Sequence, residues 1–238
     1  RECNFANFIT DALVANHLIS YKGNYWTDAP IAIINAGAIR SGIEKRLDGA
    51  ITKSDLFGAV PFEEPLYSMY ITGKDLLKTL EAGVRGTGDA SSGEIIHGSG
   101  LIYKYDLKQK VGSRVFDAKI RCGACNVPAF DNIDENKTYK IVTTAFLNRG
   151  GDGHILLRDK AYNKTIEDKS NWEVILWYIQ RMTPIYPQEE GRLILIEKSA
   201  NTANSQIKTN LILIIVLVLL QVIIYHMYSN KQRKYLEI

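Results

Sequence analysis

Residues 211–225 read Leu-Ile-Leu-Ile-Ile-Val-Leu-Val-Leu-Leu-Gln-Val-Ile-Ile-Tyr, an apolar run with no charge. A helix apolar on every face must be enclosed on every side, by a large core or by a bilayer, so the run constrains the chain more than any other stretch. It falls somewhat short of the roughly 20 residues that span a bilayer, but His226, Met227 and Tyr228 extend it to the interface. Small polar residues fill 199–210, the composition of a linker. A buried core helix would not need that linker. The expected organisation is a globular domain over 1–198, a linker over 199–210, a transmembrane helix over 211–228 and a short basic tail over 229–238. Lys231, Arg233 and Lys234 follow the run, which favours a cytoplasmic C-terminus and an extracellular domain at the cell membrane. A GPI-attachment signal is the competing fate, since small residues, spacer and hydrophobic end occur in that order. Its apolar run usually ends the chain, whereas here a polar tail follows.

The 238 residues carry a net charge of +3, part of it in that tail. So weak an excess argues against a nucleic-acid partner. Of the three cysteines, Cys122 and Cys125 lie in a Cys-x-x-Cys. That spacing suits half a zinc site, a redox pair or a tight disulfide. No second Cys/His pair completes a zinc site, and the motif follows a strand instead of opening a helix, so a structural disulfide fits best. Cys3 is left over, and the expectation is a C-terminal fragment whose missing upstream part holds its partner. Asn136-Lys137-Thr138 and Asn163-Lys164-Thr165 are sequons, which makes Asn136 and Asn163 glycosylation sites in a secreted domain.

Periodicity predicts a helix over residues 4–19 with Asn4 as its cap, and a buried strand from Pro30 to Ile34 that runs into Asn35-Ala36-Gly37-Ala38-Ile39-Arg40. Ser54 is placed to cap a short helix, which Pro61 and Pro65 end. Leu66 to Ile71 reads as a strand, Leu76 to Val84 as an amphipathic helix, and Gly83 to Gly100 as a glycine-rich loop. Leu101 to Asp106, Val115 to Ile120 and Tyr139 to Thr144 read as strands, Trp172 to Ile179 as a helix, and Arg192 to Ile196 as a last strand. Helices and strands alternate without a strict βαβ period. The expected class is α+β, a mixed sheet with helices, followed by one transmembrane helix.

After the strand at 139–144, Phe146-Leu147-Asn148-Arg149-Gly150-Gly151-Asp152-Gly153-His154 sets three glycines around one carboxylate. Gly150, Gly151 and Gly153 permit positive φ and close backbone approach, so the turn can present a ring and an acceptor together. The four histidines are scattered, and no nucleophile elbow, phosphate loop or metal cluster appears. The chain holds no complete catalytic centre and no metal site, but it can hold a substrate site.

Several motifs fall in one order: Arg1-Glu2-Cys3-Asn4-Phe5-Ala6-Asn7, Asn35 to Arg40, Val60-Pro61-Phe62, Cys122-Gly123-Ala124-Cys125, Phe146 to Gly153, and Ile185-Tyr186-Pro187 with Glu190-Gly191-Arg192. As an ordered set covering residues 1–198, they resemble the C-terminal, substrate-binding domain of animal ecto-5′-nucleotidases, in the 5′-nucleotidase/apyrase family. The resemblance implies that Phe62 and Phe146 sandwich the base, Asp152 accepts the ribose hydroxyls, Arg40 binds phosphate, and Asn35 lines the nucleoside pocket, with Gly37 shaping its loop. It also implies an upstream metallophosphoesterase domain carrying two divalent metals, zinc by expectation, and is compatible with a homodimer. The implied reaction is hydrolysis of a nucleoside 5′-monophosphate such as AMP, with this chain alone inactive. An apyrase or nucleotide-sugar hydrolase is the alternative within the family, and a non-catalytic tethered ectodomain the alternative outside it. Two departures stand out. The family's Asn-Gly-Gly-Gly-Ile-Arg is here Asn-Ala-Gly-Ala-Ile-Arg, so Ala36 and Ala38 must avoid or tolerate positive φ, and Phe-Leu-Ala-Asn is here Phe-Leu-Asn-Arg.

Overall fold

A computed structural model describes residues 1–44, 46–86 and 93–196, together with Gln221. The expected linker, membrane span and basic tail lie outside the described residues, apart from that one position. Among the described residues no helix is long and apolar enough to cross a membrane.

Helix α1 (Asn4–Ser20) opens the chain, and β1 (Ile31–Asn35) follows. Next come α2 (Lys53–Ala59), β2 (Pro65–Thr72) and α3 (Gly73–Gly83). Four strands then run in succession: β3 (Ile96–Ser99), β4 (Leu101–Tyr105), β5 (Val115–Arg121) and β6 (Phe130–Asn132). The remainder is β7 (Thr138–Thr144), α4 (Ala145–Asn148), α5 (Ile155–Asp159), β8 (Tyr162–Ser170), α6 (Asn171–Met182) and β9 (Leu193–Leu195).

The strands form two mixed sheets. One has the order β3-β1-β7-β2-β8 and the other β6-β5-β4-β9. In the first, β1 and β7 are parallel while the other neighbours are antiparallel. Successive β1 side chains feed different cores. Ile31 and Ile33 pack with Met69, Ile71 and Ile141 against α3 and the second sheet, while Ala32 and Ile34 pack with Val142 against α1, α2 and α6. Burial on both faces is why β1 reads as a continuous apolar run without alternation. Strand β4 is covered on one face only, so its buried Leu101, Tyr103 and Tyr105 alternate with less buried residues. The mixed α/β architecture agrees with the sequence expectation, with two sheets where one was expected.

Local expectations need three corrections. Cys3, not Asn4, occupies the cap of α1, because Asn4 already lies in the helix and its amide reaches Pro187 O at 3.4 Å. Thr52, not Ser54, caps α2. Thr52 and Asp55 form a reciprocal box that satisfies two end amides, which Ser54 inside the first turn cannot do. The glycine-rich stretch before Leu101 contains β3, whose His97 and Gly98 conceal a strand buried at every position.

Candidate functional site

One end of the first sheet collects the loops that the sequence singles out. The parallel strands β1 and β7 both terminate there, at Asn35 and Thr144. Strand β2 runs the other way, with Leu66 opposite Thr144, so the segment 60–64 arrives at the same end. Asn35 stands opposite Ile96, which brings Gly93 to Ile95 there as well. Strand β8 closes the group, since its last residue, Ser170, pairs with Pro65 and leads directly into α6. Crevices at the carboxyl ends of parallel strands are where open α/β sheets place ligands.

Asn35 and Asp152, 117 positions apart, meet at this end of the sheet, where Asn35 Nδ2 donates to Asp152 Oδ2 at 2.7 Å. Asp152 adopts φ 52° and ψ 25°, a left-handed conformation that aspartate tolerates better than most side chains. Gly150 (φ 82°) and Gly153 (φ 77°) flank it with the same hand. Arg85 secures the turn from outside, donating to Asp152 O at 2.8 Å and pairing with Glu94 at 2.6 Å. His154 is buried, and its Nε2 donates to Glu94 O at 2.7 Å, which fixes the tautomer. Its Nδ1 finds no partner among the described residues. Burial pushes the imidazole below its ordinary range, with Arg85 adding to that effect against the bond to Glu94. His154 is therefore a neutral pin for the loop.

Gly37 is required for close approach, not for its backbone angle. Its N–H donates to Gly93 O at 2.8 Å, and a Cβ there would lie 3.0 Å from Asn35 Nδ2 and 3.4 Å from Asp152 Oδ2. Neither Ala36 nor Ala38 has positive φ, so the two alanines fit their short 3-10 turn without backbone strain. Gly151 also serves close approach. A Cβ there would collide with Cε1 of Phe146, which shows the ring lying directly over the glycine.

Phe62 is 49% exposed, and Phe146 is partly buried against the core. Neither ring stacks on another aromatic ring among the described residues. Their backbones are joined, however, by Glu64, whose Oε2 accepts the Phe146 N–H at 2.5 Å. Arg40 is exposed and donates to Gly37 O at 3.3 Å, so its guanidinium stays beside the loop with hydrogen-bonding capacity to spare. The structure thus joins Asn35 to Asp152 directly and Phe62 to Phe146 through Glu64, and leaves Arg40 at the rim.

Residues 1–159 match the family profile "5′-nucleotidase, C-terminal domain". The chain belongs to the 5′-nucleotidase family, through its C-terminal domain. It is 35% identical over 198 residues to an apyrase of Tabanus yao, covering 82% of this chain and 35% of that one. It is equally 35% identical over 193 residues to the human 5′-nucleotidase, covering 81% and 33%. Among solved structures, the 5′-nucleotidase precursor of Thermus thermophilus superposes with a TM-score of 0.72 at 29% identity, over 83% of this chain and 36% of that one. The chain spans about a third of the length of these relatives.

Within this 5′-nucleotidase domain, Cys122 and Cys125 are joined as a disulfide, and Cys3 is free and partly exposed. Both sequon asparagines, Asn136 and Asn163, are exposed. Among the described residues no group of three His, Cys, Asp or Glu side chains is placed to hold a metal ion. The members of the site that sequence reasoning overlooks are Glu64, Arg85, Glu94 and Asn171. Only the cap pattern Ser170-Asn171-Trp172-Glu173 carried a local signal for any of them.

Proposed function

We propose that this chain is the nucleoside-binding half of a membrane-anchored ecto-5′-nucleotidase that hydrolyses nucleoside 5′-monophosphates such as AMP to nucleoside and phosphate. The observation that carries the reading is the Asn35–Asp152 pair, held at the sheet end to which the segments of Phe62 and Phe146 also come, neither ring being stacked on another among the described residues. On this reading the base stacks between Phe62 and Phe146, an interaction worth about 1–3 kcal/mol per base that tolerates different bases. Asp152 accepts from the ribose hydroxyls with its remaining lone pairs, while Asn35 holds the carboxylate in place. Arg40, exposed and without a carboxylate partner among the described residues, offers its fork to the phosphate. The divalent metals of the family, zinc by expectation, are assigned to the upstream metallophosphoesterase domain. This chain contributes orientation: fixing the substrate supplies several kcal/mol of a bimolecular barrier. The anchor is residues 211–228, with the domain outside the cell.

An apyrase preferring diphosphates is the second reading, supported by the Tabanus yao relative at the same identity as the human enzyme. Steady-state rates of the full-length protein on AMP, ADP and a nucleotide sugar separate the two. The expected result is highest kcat/KM on AMP, falling about tenfold or more in Asp152→Ala with the loss of a charge-assisted bond. Preference for ADP overturns the monophosphate reading, and an unchanged kcat/KM in Asp152→Ala overturns the site.

A further inference from the structure

The two segments that carry Phe62 and Phe146 reach the sheet end from different elements, and one carboxylate ties them together. Glu64 lies two residues beyond Phe62, and its side chain crosses to the short helix α4 after β7 to accept the main-chain N–H of Phe146 at 2.5 Å. Its own segment is gripped from the opposite side by α6. Asn171 Nδ2 donates to Phe62 O at 2.8 Å, Asn171 Oδ1 accepts from Glu64 N at 2.8 Å, and Asn171 N donates to Glu64 O at 3.0 Å. The backbone of 62–64 is thus fixed to α6 and its one inward side chain to α4. The Phe62 ring is half exposed and stacks on no other aromatic ring among the described residues.

We infer that Glu64 is a positioning residue that sets the separation and mutual orientation of Phe62 and Phe146, and so determines how firmly the site grips the base of a nucleotide. The inference rests on the nucleoside-site reading above and adds to it a residue whose role lies in the gap between the rings. Stacking falls off steeply when ring planes separate or tilt, so a tie of one hydrogen bond's length is the right device for holding them. The carboxylate is half-buried, and burial pushes its pKa up, against the pull of the Phe146 N–H and of Arg149. A neutral amide oxygen would make the same bond without burying a charge, which makes glutamine the conservative replacement.

The test compares Glu64→Leu and Glu64→Gln in the full-length enzyme on two substrates, AMP and ribose 5-phosphate, which lacks the base. Expected for Glu64→Leu is a rise in KM for AMP of about tenfold with kcat changed much less, and no change in kcat/KM on ribose 5-phosphate. Glu64→Gln should restore the wild-type KM. Equal losses of Glu64→Leu on both substrates, or no loss on AMP, overturn the proposal. If Glu64→Leu does not fold, Glu64→Ala removes the same acceptor and carries the same comparison, and the Gln variant must still match wild type. Asp152→Ala run in parallel keeps the two readings apart. Should it leave both substrates unaffected, the nucleoside site itself is misplaced, whereas an effect of Asp152→Ala without one of Glu64→Leu removes the positioning role alone.

Discussion

At the scale of single residues, the site depends on atoms that are missing as much as on those present. Gly151 carries no side chain because the Phe146 ring occupies that space, where a Cβ would collide with Cε1. Gly151→Ala must therefore displace the ring while leaving φ permissible, since Gly151 is not among the positive-φ glycines. The expected outcome is an overpacking cost of about 1–3 kcal/mol and a kcat/KM on AMP lowered several-fold. Thermal melting and steady-state kinetics of the full-length variant check both, and a wild-type kcat/KM would show that the ring's seat does not matter. The order of the motifs led the sequence reading to Asn35, Gly37, Phe62, Phe146 and Asp152, of which the structure brings Asn35 and Asp152 into direct contact beside Gly37. It did not make Glu64 or Arg85 legible, because each acts across 67 to 82 positions through strand register and no local pattern encodes that.

At the scale of elements, α1 is tied to the sheet by a buried ionic cluster away from the crevice. His17 Nε2 contacts Asp28 Oδ1 at 2.7 Å and its Nδ1 contacts Glu167 Oε1 on β8 at 3.0 Å, while Lys140 on β7 pairs with Asp28 at 2.7 Å. Burial alone would lower the imidazole's pKa, but the bonds to Glu167 and Asp28 outweigh it and hold His17 above its ordinary 6.5. Burial would likewise raise the two carboxyls, yet Lys140 and His17 hold Asp28 below its ordinary value, and His17 and Ser68 hold Glu167 below its own. A raised histidine contributes stability that is complete below 6.5 and lost as pH rises through its folded pKa. The depressed carboxyls contribute stability that is complete above their ordinary 3.8 and 4.5 and lost as pH falls through their folded values. Stability from this cluster should therefore be greatest between pH 4.5 and 6.5 and decline as pH rises beyond that through the raised pKa of His17. His17→Gln should flatten that decline and cost about 1–2 kcal/mol at about pH 6, read from melting temperatures across the range. A wild-type slope in the variant would remove His17 from the account. The same cluster explains why β8 escapes sequence analysis. Tyr162 to Ser170 is an edge strand, exposed along most of its length and polar, with a glutamate turned inward to meet a histidine, so it shows no apolar alternation. Strand β1, buried on both faces, announces itself, and β8 does not.

At the scale of the whole described domain, the two ends of the fold are fastened to each other. The Glu2 carboxylate accepts from Asn7 Nδ2 at 2.6 Å and from the backbone N–H groups of Glu190 and Gly191, both at 2.9 Å. Arg192 meets Asp11 with two parallel bonds of 2.8 Å, binds Glu190 at 2.8 Å, and through its carbonyl accepts from Tyr103 N at 2.9 Å, seating β9 beside β4. The Arg192 side chain is only 9% exposed, whereas Asp11 is 30% exposed. Removing the guanidinium from so buried a place leaves the Asp11 carboxylate short of two donors, although it can recover water, while Asn7 O keeps the Thr10 hydroxyl at 3.0 Å. Arg192→Ala should therefore cost about 2–4 kcal/mol, toward the lower side of what breaking a fully buried pair costs. For a domain of this size, that corresponds to a melting temperature lower by roughly 5–15 °C. None of these bonds is shared with Asn35, Glu64 or Asp152, so kcat/KM on AMP measured well below the transition should stay within about twofold of wild type. The two readouts must part company: a variant that melts normally shows the fastening to be ornamental, and one that loses activity while folded shows that the crevice feels the chain ends.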